Sequence, residues 1–154
     1  MARVVDVAAY ILKQAGPMTA MKLQKLCYYS NGYHMAWEGR LLFDEPFEAW
    51  ANGPVAPDLY RHHRGRFQLN DGDIPGDPTA LDEGERESID VVLAKLGHLS
   101  GHDLSQMTHN EPPWILARGR AGVGALERST EPLRVDEIAE HFEVMAAAAG
   151  GYDD

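Results

Sequence analysis

The chain has 154 residues, a formal net charge of −10 and 44% hydrophobic residues. That length and composition predict one globular domain (residues 1–150, with 151–154 as a frayed tail) rather than a disordered chain. The excess of 24 acidic over 14 basic residues argues against general nucleic-acid binding, because phosphate backbones repel such a surface, and the single Cys27 excludes an internal disulfide.

Nothing in the chain approaches the ~20 consecutive apolar residues that span a bilayer. Asp6 interrupts the first apolar run and no small-residue cleavage site follows it, so neither membrane nor signal peptide is expected and the expected location is the cytoplasm. Residues 3–15 carry Val4, Ala8, Ile11 and Ala15 at helical spacing, and Gly16-Pro17 stops that helix. Thr19 is the expected N-cap of a second helix ending at Gly39. On it, Leu23, Leu26, Cys27, Ser30, His34 and Trp37 share one side, and Lys22, Lys25 and Asn31 mark the other. Leu41–Phe43 and Phe47–Trp50, flanking Asp44-Glu45-Pro46, read as a small hairpin, which must lean on helices because a lone ribbon is marginal. Asn52-Gly53-Pro54 is a turn, and Pro57 suits the first turn of a helix over 58–64 that Gly65 closes.

Residues 66–80, rich in Gly, Pro and Asp, read as a loop. Asp82 with Glu85 forms the capping box of a helix that buries Ile89, Val92, Leu93 and Leu96 and ends at Gly97. Ser100 caps a short helix over 101–108, and Asn110 is expected to cap another at 112–118. After a loop over 119–134, residues 136–147 form a last helix with Ile138, Phe142 and Met145 on one face. The expected core includes Leu23, Leu26, Trp37 and Trp50. The fold class is therefore mainly α, a compact helical fold with a small two-stranded β element.

The chemistry-bearing residues are sparse. His98, His102, Asp103 and His109 have metal-ligand types, but Gly97, Ser100 and Gly101 break any single helix through 98–102, so no metal or other cofactor is expected. His109 with Glu111 could form a general base and its orienter, but no serine or threonine lies in a nucleophile elbow, so no catalytic residue is assigned. The glycines of GRAGVG at 119–124 lack a phosphate-loop pattern. Arg61-His62-His63-Arg64-Gly65-Arg66 is the one local basic run in an acidic chain.

Two blocks carry a family resemblance. KLQKLCYYSNGYHMAWEGRLLFDEPFEAWANGPVAPDLY, from Lys22, resembles the opening half of the Panacea domain, the SocA-like antitoxin family, in its KLQKL start, aromatic helix, LF pair, EAW and GPV. LSQMTHNEPPW, from Leu104, resembles that family's Thr-His…Pro-Trp segment, and IAEHF its closing helix, so the likeness runs over about residues 5–145. Cys27 and Ser30 depart from the more common residues at their positions. The resemblance implies a non-enzymatic antitoxin that neutralises a cognate toxin protein by direct binding, in systems common in prophages. It also implies an alternative, a proteolysis adaptor that delivers the toxin to a bacterial protease. A third reading, a hydrolase using His102, Asp103 and His109, has less support.

The expected partner-binding residues are Asn52, Gly53, Pro54, Asp58, Tyr60, Arg61 and Arg64, where the turn poses a helix bearing Tyr and Arg, the types enriched in interface hot spots. The acidic stretch around residues 71–90 would steer a basic toxin.

Overall fold

The computed structural model describes residues 1–150, and the expected frayed tail lies outside the described residues. Seven α-helices dominate them: α1 Val4–Ala15, α2 Ala20–Glu38, α3 Pro57–His63, α4 Glu83–Leu96, α5 Gly101–His109, α6 Pro112–Ala121 and α7 Val135–Gly150. Two antiparallel ribbons complete them. β1 (Met18–Thr19) pairs with β4 (Gln68–Leu69), and β2 (Glu48–Trp50) pairs with β3 (Gly53–Val55). No helix among the described residues is long and apolar enough to cross a membrane.

Local chemistry places most helix ends. The Thr19 hydroxyl accepts from the Lys22 N–H (3.1 Å), satisfying one orphan donor of α2. Asp82 with Glu85 and Ser100 with Asp103 form reciprocal capping boxes on α4 and α5. The expected cap at Asn110 is not formed: Asn110 closes α5, and Glu111 precedes α6 without a capping hydrogen bond. Pro112 takes the first position of α6, where its missing N–H costs nothing.

The centre of the molecule is α2, which packs against α1, α4, α5, α7 and β3. The expected polar side is therefore mistaken: Lys25 and Asn31 are buried along with Leu23, Leu26, Cys27, Tyr28 and Tyr29. Asn31 is paid for by the chain it meets, its Oδ1 accepting from the Leu42 N–H (2.7 Å). Trp37, expected in the core, is 38% exposed near the end of α2 and stacks on Tyr33, and Trp50 is only half-buried. An aromatic cluster replaces them, with Tyr28, Tyr29 and Tyr33 all edge-on to Phe142 of α7. Each such pair is worth roughly 0.5–1.5 kcal/mol beyond its buried area. Met145, placed on the same inner face of α7, is instead exposed.

The expected hairpin is also displaced. Residues 41–43 are not a strand; Phe47–Trp50 runs into β2, and its partner is β3, reached through Ala51 and Asn52. So Gly53-Pro54 is a strand rather than the exit of a turn. The loop before α7 docks on the other edge of β2, with the Ala49 N–H donating to the Glu131 carbonyl (2.8 Å) and the Leu133 N–H to the Phe47 carbonyl (2.9 Å). Within residues 66–80 lie β4 and a 3-10 turn, Pro78–Ala80. Asp6 ties this segment to α1, accepting from the Asp77 N–H (2.8 Å).

Candidate functional site

A cleft of about 360 Å³ opens between the N-terminal half of α2, the β2–β3 hairpin, α3 and the loop before α7. Its walls are apolar and aromatic, with Trp50 and Tyr60 in edge-to-face contact at 4.9 Å and Met21 beside them. Lys25, His63, Arg66 and Arg128 also line it, and among the described residues no aspartate or glutamate does.

Each wall is fixed by a polar contact. On α2, the Gln24 Oε1 accepts from the Ala56 N–H (2.9 Å), and its Nε2 donates to the Ala56 carbonyl (3.3 Å) and to the His63 Nε2 (2.9 Å). One amide thus pins the start of α3 and the ring at its end. With Nε2 accepting, the His63 proton resides on Nδ1 and the ring is neutral. Burial pushes its pKa down, its own backbone contact opposes that, and the neighbouring Lys25 charge lowers it further.

Gly53 sets the floor. Its φ of +114° is a conformation L side chains rarely adopt, and a Cβ there would lie 2.7 Å from both the Lys25 Cε and the Thr108 Oγ1. Pro54 beside it is buried. The Ser105 hydroxyl donates to the Asn52 carbonyl (2.6 Å) and the Trp114 Nε1–H to the Trp50 carbonyl (2.8 Å), so α5 and α6 hold the hairpin from behind. The His109 ring stacks on Trp114 with centroids 4.2 Å apart. EAW…GPV and TH…PW, distant in sequence, therefore build one corner.

The last wall depends on Arg118. Buried in α6, its guanidinium lies 5.2 Å from the Trp114 ring centroid. It donates to the carbonyls of Ala49 (3.0 Å), Gly124 (2.6 Å) and Glu127 (2.7 Å). This fastening presents Arg128, Ser129 and Thr130 to the cleft.

Lys25 is the unusual group. It is 1% exposed, and burial, with no carboxylate or hydrogen-bond partner to offset it among the described residues, lowers its pKa from 10.5 to about 7. Sequence spacing placed it on the polar side of α2. The available signal was its position between Leu23 and Leu26-Cys27. Nothing local marks Arg128 and Thr130, which reach the cleft through the Arg118 contacts and the docking of residues 131–133 on β2.

The seven expected partner-binding residues divide into three groups. Asn52 is exposed and Tyr60 half-buried, and both line the cleft; Arg61 and Arg64 are exposed and Asp58 half-buried on α3 and at its end, whereas Gly53 and Pro54 are buried. Arg61 forms an ion pair with Asp58 one turn earlier. Beside them, Met21 and the 79%-exposed Phe67 add apolar surface. The histidine set does not converge. His102 and Asp103 are exposed in the first turn of α5, with Asp103 occupied in the capping box, while His109 lies two turns away, roughly 10 Å along the axis. Glu111, its expected orienter, instead accepts from the Tyr29 hydroxyl (3.0 Å) and lies 3.6 Å from the His141 Nε2. Among the described residues no group of three or more His, Cys, Asp or Glu could hold a metal ion.

The family model described as Antitoxin SocA-like, Panacea domain, matches residues 23–115. Antitoxin SocA of Caulobacter vibrioides (strain NA1000 / CB15N) is 31% identical over 116 residues, covering 67% of this chain and 62% of that protein. The chain thus spans less than two thirds of that relative's length. No solved structure matches.

Proposed function

The chain belongs to the SocA-like Panacea-domain family, and from that premise we propose that it is an antitoxin, neutralising a cognate toxin protein by direct contact rather than by catalysis. The observation that carries this reading is the family match over residues 23–115, which includes the β2–β3 hairpin, α3, α5 and much of the cleft lining.

The proposed contact surface is the cleft mouth and α3. Asn52, Asp58, Tyr60, Arg61 and Arg64 would touch the toxin, with Gly53 and Pro54 shaping the hairpin under them. Tyr and Arg beside exposed Met21 and Phe67 have the character of an interface centre with a polar rim. The exposed carboxylates of Asp71, Asp77, Glu83, Glu87 and Asp90 support long-range attraction of a basic partner.

The test is co-expression with the product of the adjacent open reading frame. Growth rescue and co-purification are expected, and Tyr60→Ala combined with Arg61→Glu should weaken the complex at least a hundredfold, as loss of two central interface residues does. Rescue without any complex would defeat neutralisation by contact. Full binding by the double variant would place the surface elsewhere. The toxin's half-life with and without this chain separates sequestration from delivery to a protease.

A further inference from the structure

We infer that the cleft is a binding site for a carboxylate carried on an apolar body, with the Lys25 ammonium as its counter-charge and Trp50, Tyr60 and Met21 holding the body. The inference stands whether or not the partner is a toxin.

Three observations converge. The first is size: about 360 Å³ lies within the roughly 300–1,000 Å³ of small-ligand sites, and an apolar lining with few polar groups is their usual character. The second is charge. In a chain of net charge −10, a cleft lined by two arginines, a lysine and a histidine, with no carboxylate among the described residues, is the reverse of the average surface. The third is the state of Lys25. A buried ammonium without a partner opposes folding, and an apolar side chain of similar length would fill the same space without that cost. An anion entering the cleft supplies the missing partner.

The donor set selects the kind of anion. Of the deep polar groups near Lys25, Gln24 is engaged with Ala56 and His63 and the Thr108 hydroxyl with the Ser105 carbonyl at 2.7 Å, while the buried His109 Nε2 is unpaired among the described residues. One deep point charge remains. A phosphate calls for several convergent donors, whereas a carboxylate is served by one deep ammonium and the arginines at the mouth. Arg66 is shared with Asp73 at 3.0 Å, so Arg128, which has no ion-pair partner among the described residues, is the freer of the two.

The charged and titratable groups facing Lys25 are His63 and Tyr60 from α3, His109 from α5, and Arg66 and Arg128 from the loops. None of these is a carboxylate. A bound carboxylate therefore favours the protonated lysine and raises its titration midpoint, and binding weakens as pH rises above that midpoint.

The experiment follows the Lys25 Cε resonance in 13C-lysine-labelled protein across pH, during titration with 3-phenylpropanoate, 3-phenylpropanamide and inorganic phosphate. A short peptide ending in phenylalanine, with its terminus free or amidated, distinguishes a partner's chain end from a free acid. The expected result is at least tenfold tighter binding of a free carboxylate, on the acid or the peptide, than of its amide. The Lys25 midpoint should rise by about one unit or more, and Lys25→Met should bind at least tenfold more weakly. The inference is overturned if both amides bind as well as their carboxylates, if phosphate moves the midpoint as far as either carboxylate, or if Lys25→Met binds undiminished. Should that variant not fold, the midpoint shift in the unaltered chain decides.

Discussion

Lys25 occupies a place where an uncharged side chain would fold better, and this makes stability depend on pH in a defined direction. Its proton is held to about pH 7 in the folded chain, against a reference of 10.5. Between those values the unfolded chain binds more protons, so this group's contribution to stability improves as pH rises, and its cost is complete below about 7. Lys25→Met removes that cost, which is on the order of several kcal/mol below neutrality. The expected outcome is a melting temperature above that of the unaltered chain at pH 7, with the gap closing steadily towards pH 9. Cys27, whose thiol burial pushes up, is common to both proteins and cancels in the difference. A gap that stays constant over pH 7–9 would show that Lys25 finds a counter-charge within the chain. The sequence hid this residue for a physical reason: a lysine at helical spacing reads as a solvated face, and only packing by neighbours distant in the chain shows that the helix has no solvated face there.

At the scale of elements, the ends of helices were written locally and their partners were not. Thr19, Asp82, Ser100 and Gly39 each act within a turn of themselves, which is why they could be read from the chain. The β2–β3 hairpin was displaced because strands of three residues carry no usable period, and because its other edge is completed by residues 131–133, some eighty positions away. The α2–α7 junction is similarly silent in the sequence. At Gly32 a Cβ would lie 2.3 Å from the Phe142 ring, so glycine is present mid-helix, at a propensity cost of ~1 kcal/mol, to let that ring seat. Gly32→Ala improves the local propensity yet should destabilise the protein by about 2–4 kcal/mol through displacement of Phe142, measured by urea unfolding. A neutral or stabilising effect would mean that α7 can shift without loss. The loop before α7 has one side-chain fastening near its start, Arg118, beside its backbone hydrogen bonds to β2. Arg118→Met keeps much of the packing on Trp114 but leaves the carbonyls of Ala49, Gly124 and Glu127 without their donor. We expect a loss of about 2–3 kcal/mol and faster proteolysis within residues 122–131, while α1 to α4 keep their protection. Unchanged cleavage there would show that the Ala49–Glu131 and Phe47–Leu133 hydrogen bonds suffice to hold the loop.

For the molecule as a whole, the expectation of one domain becomes a statement about cooperativity. Helix α2 touches α1, α4, α5, α7 and β3, so elements from both halves of the chain pack on one helix. The candidate site has the same dependence: its walls come from residues near 20, 50, 60 and 128, and the α5–α6 corner supports its floor. This explains which parts of the site could be read in advance. The run from Asn52 to Arg64 is one continuous stretch of sequence that carries motif and composition signals, whereas the deep charge and the far wall exist only once α2 is enclosed. We propose that residues 1–150 unfold as a single unit. Far- and near-ultraviolet circular dichroism should give coincident denaturant transitions, and the slowest amide exchange should fall in α2 around Leu23–Tyr29. An earlier near-ultraviolet transition would identify the aromatic contact of Phe142 with Tyr28, Tyr29 and Tyr33 as a separate step, with α7 leaving first. Cooperativity also constrains the cleft. A carboxylate bound at Lys25 contacts only the folded state, so at a hundred times its dissociation constant it should raise the stability of the entire unit by about 2.7 kcal/mol. That gain should reach the slowest-exchanging amides of α2 as fully as those of the hairpin. Protection confined to residues 48–64 would mean instead that the hairpin and α3 open independently of the core.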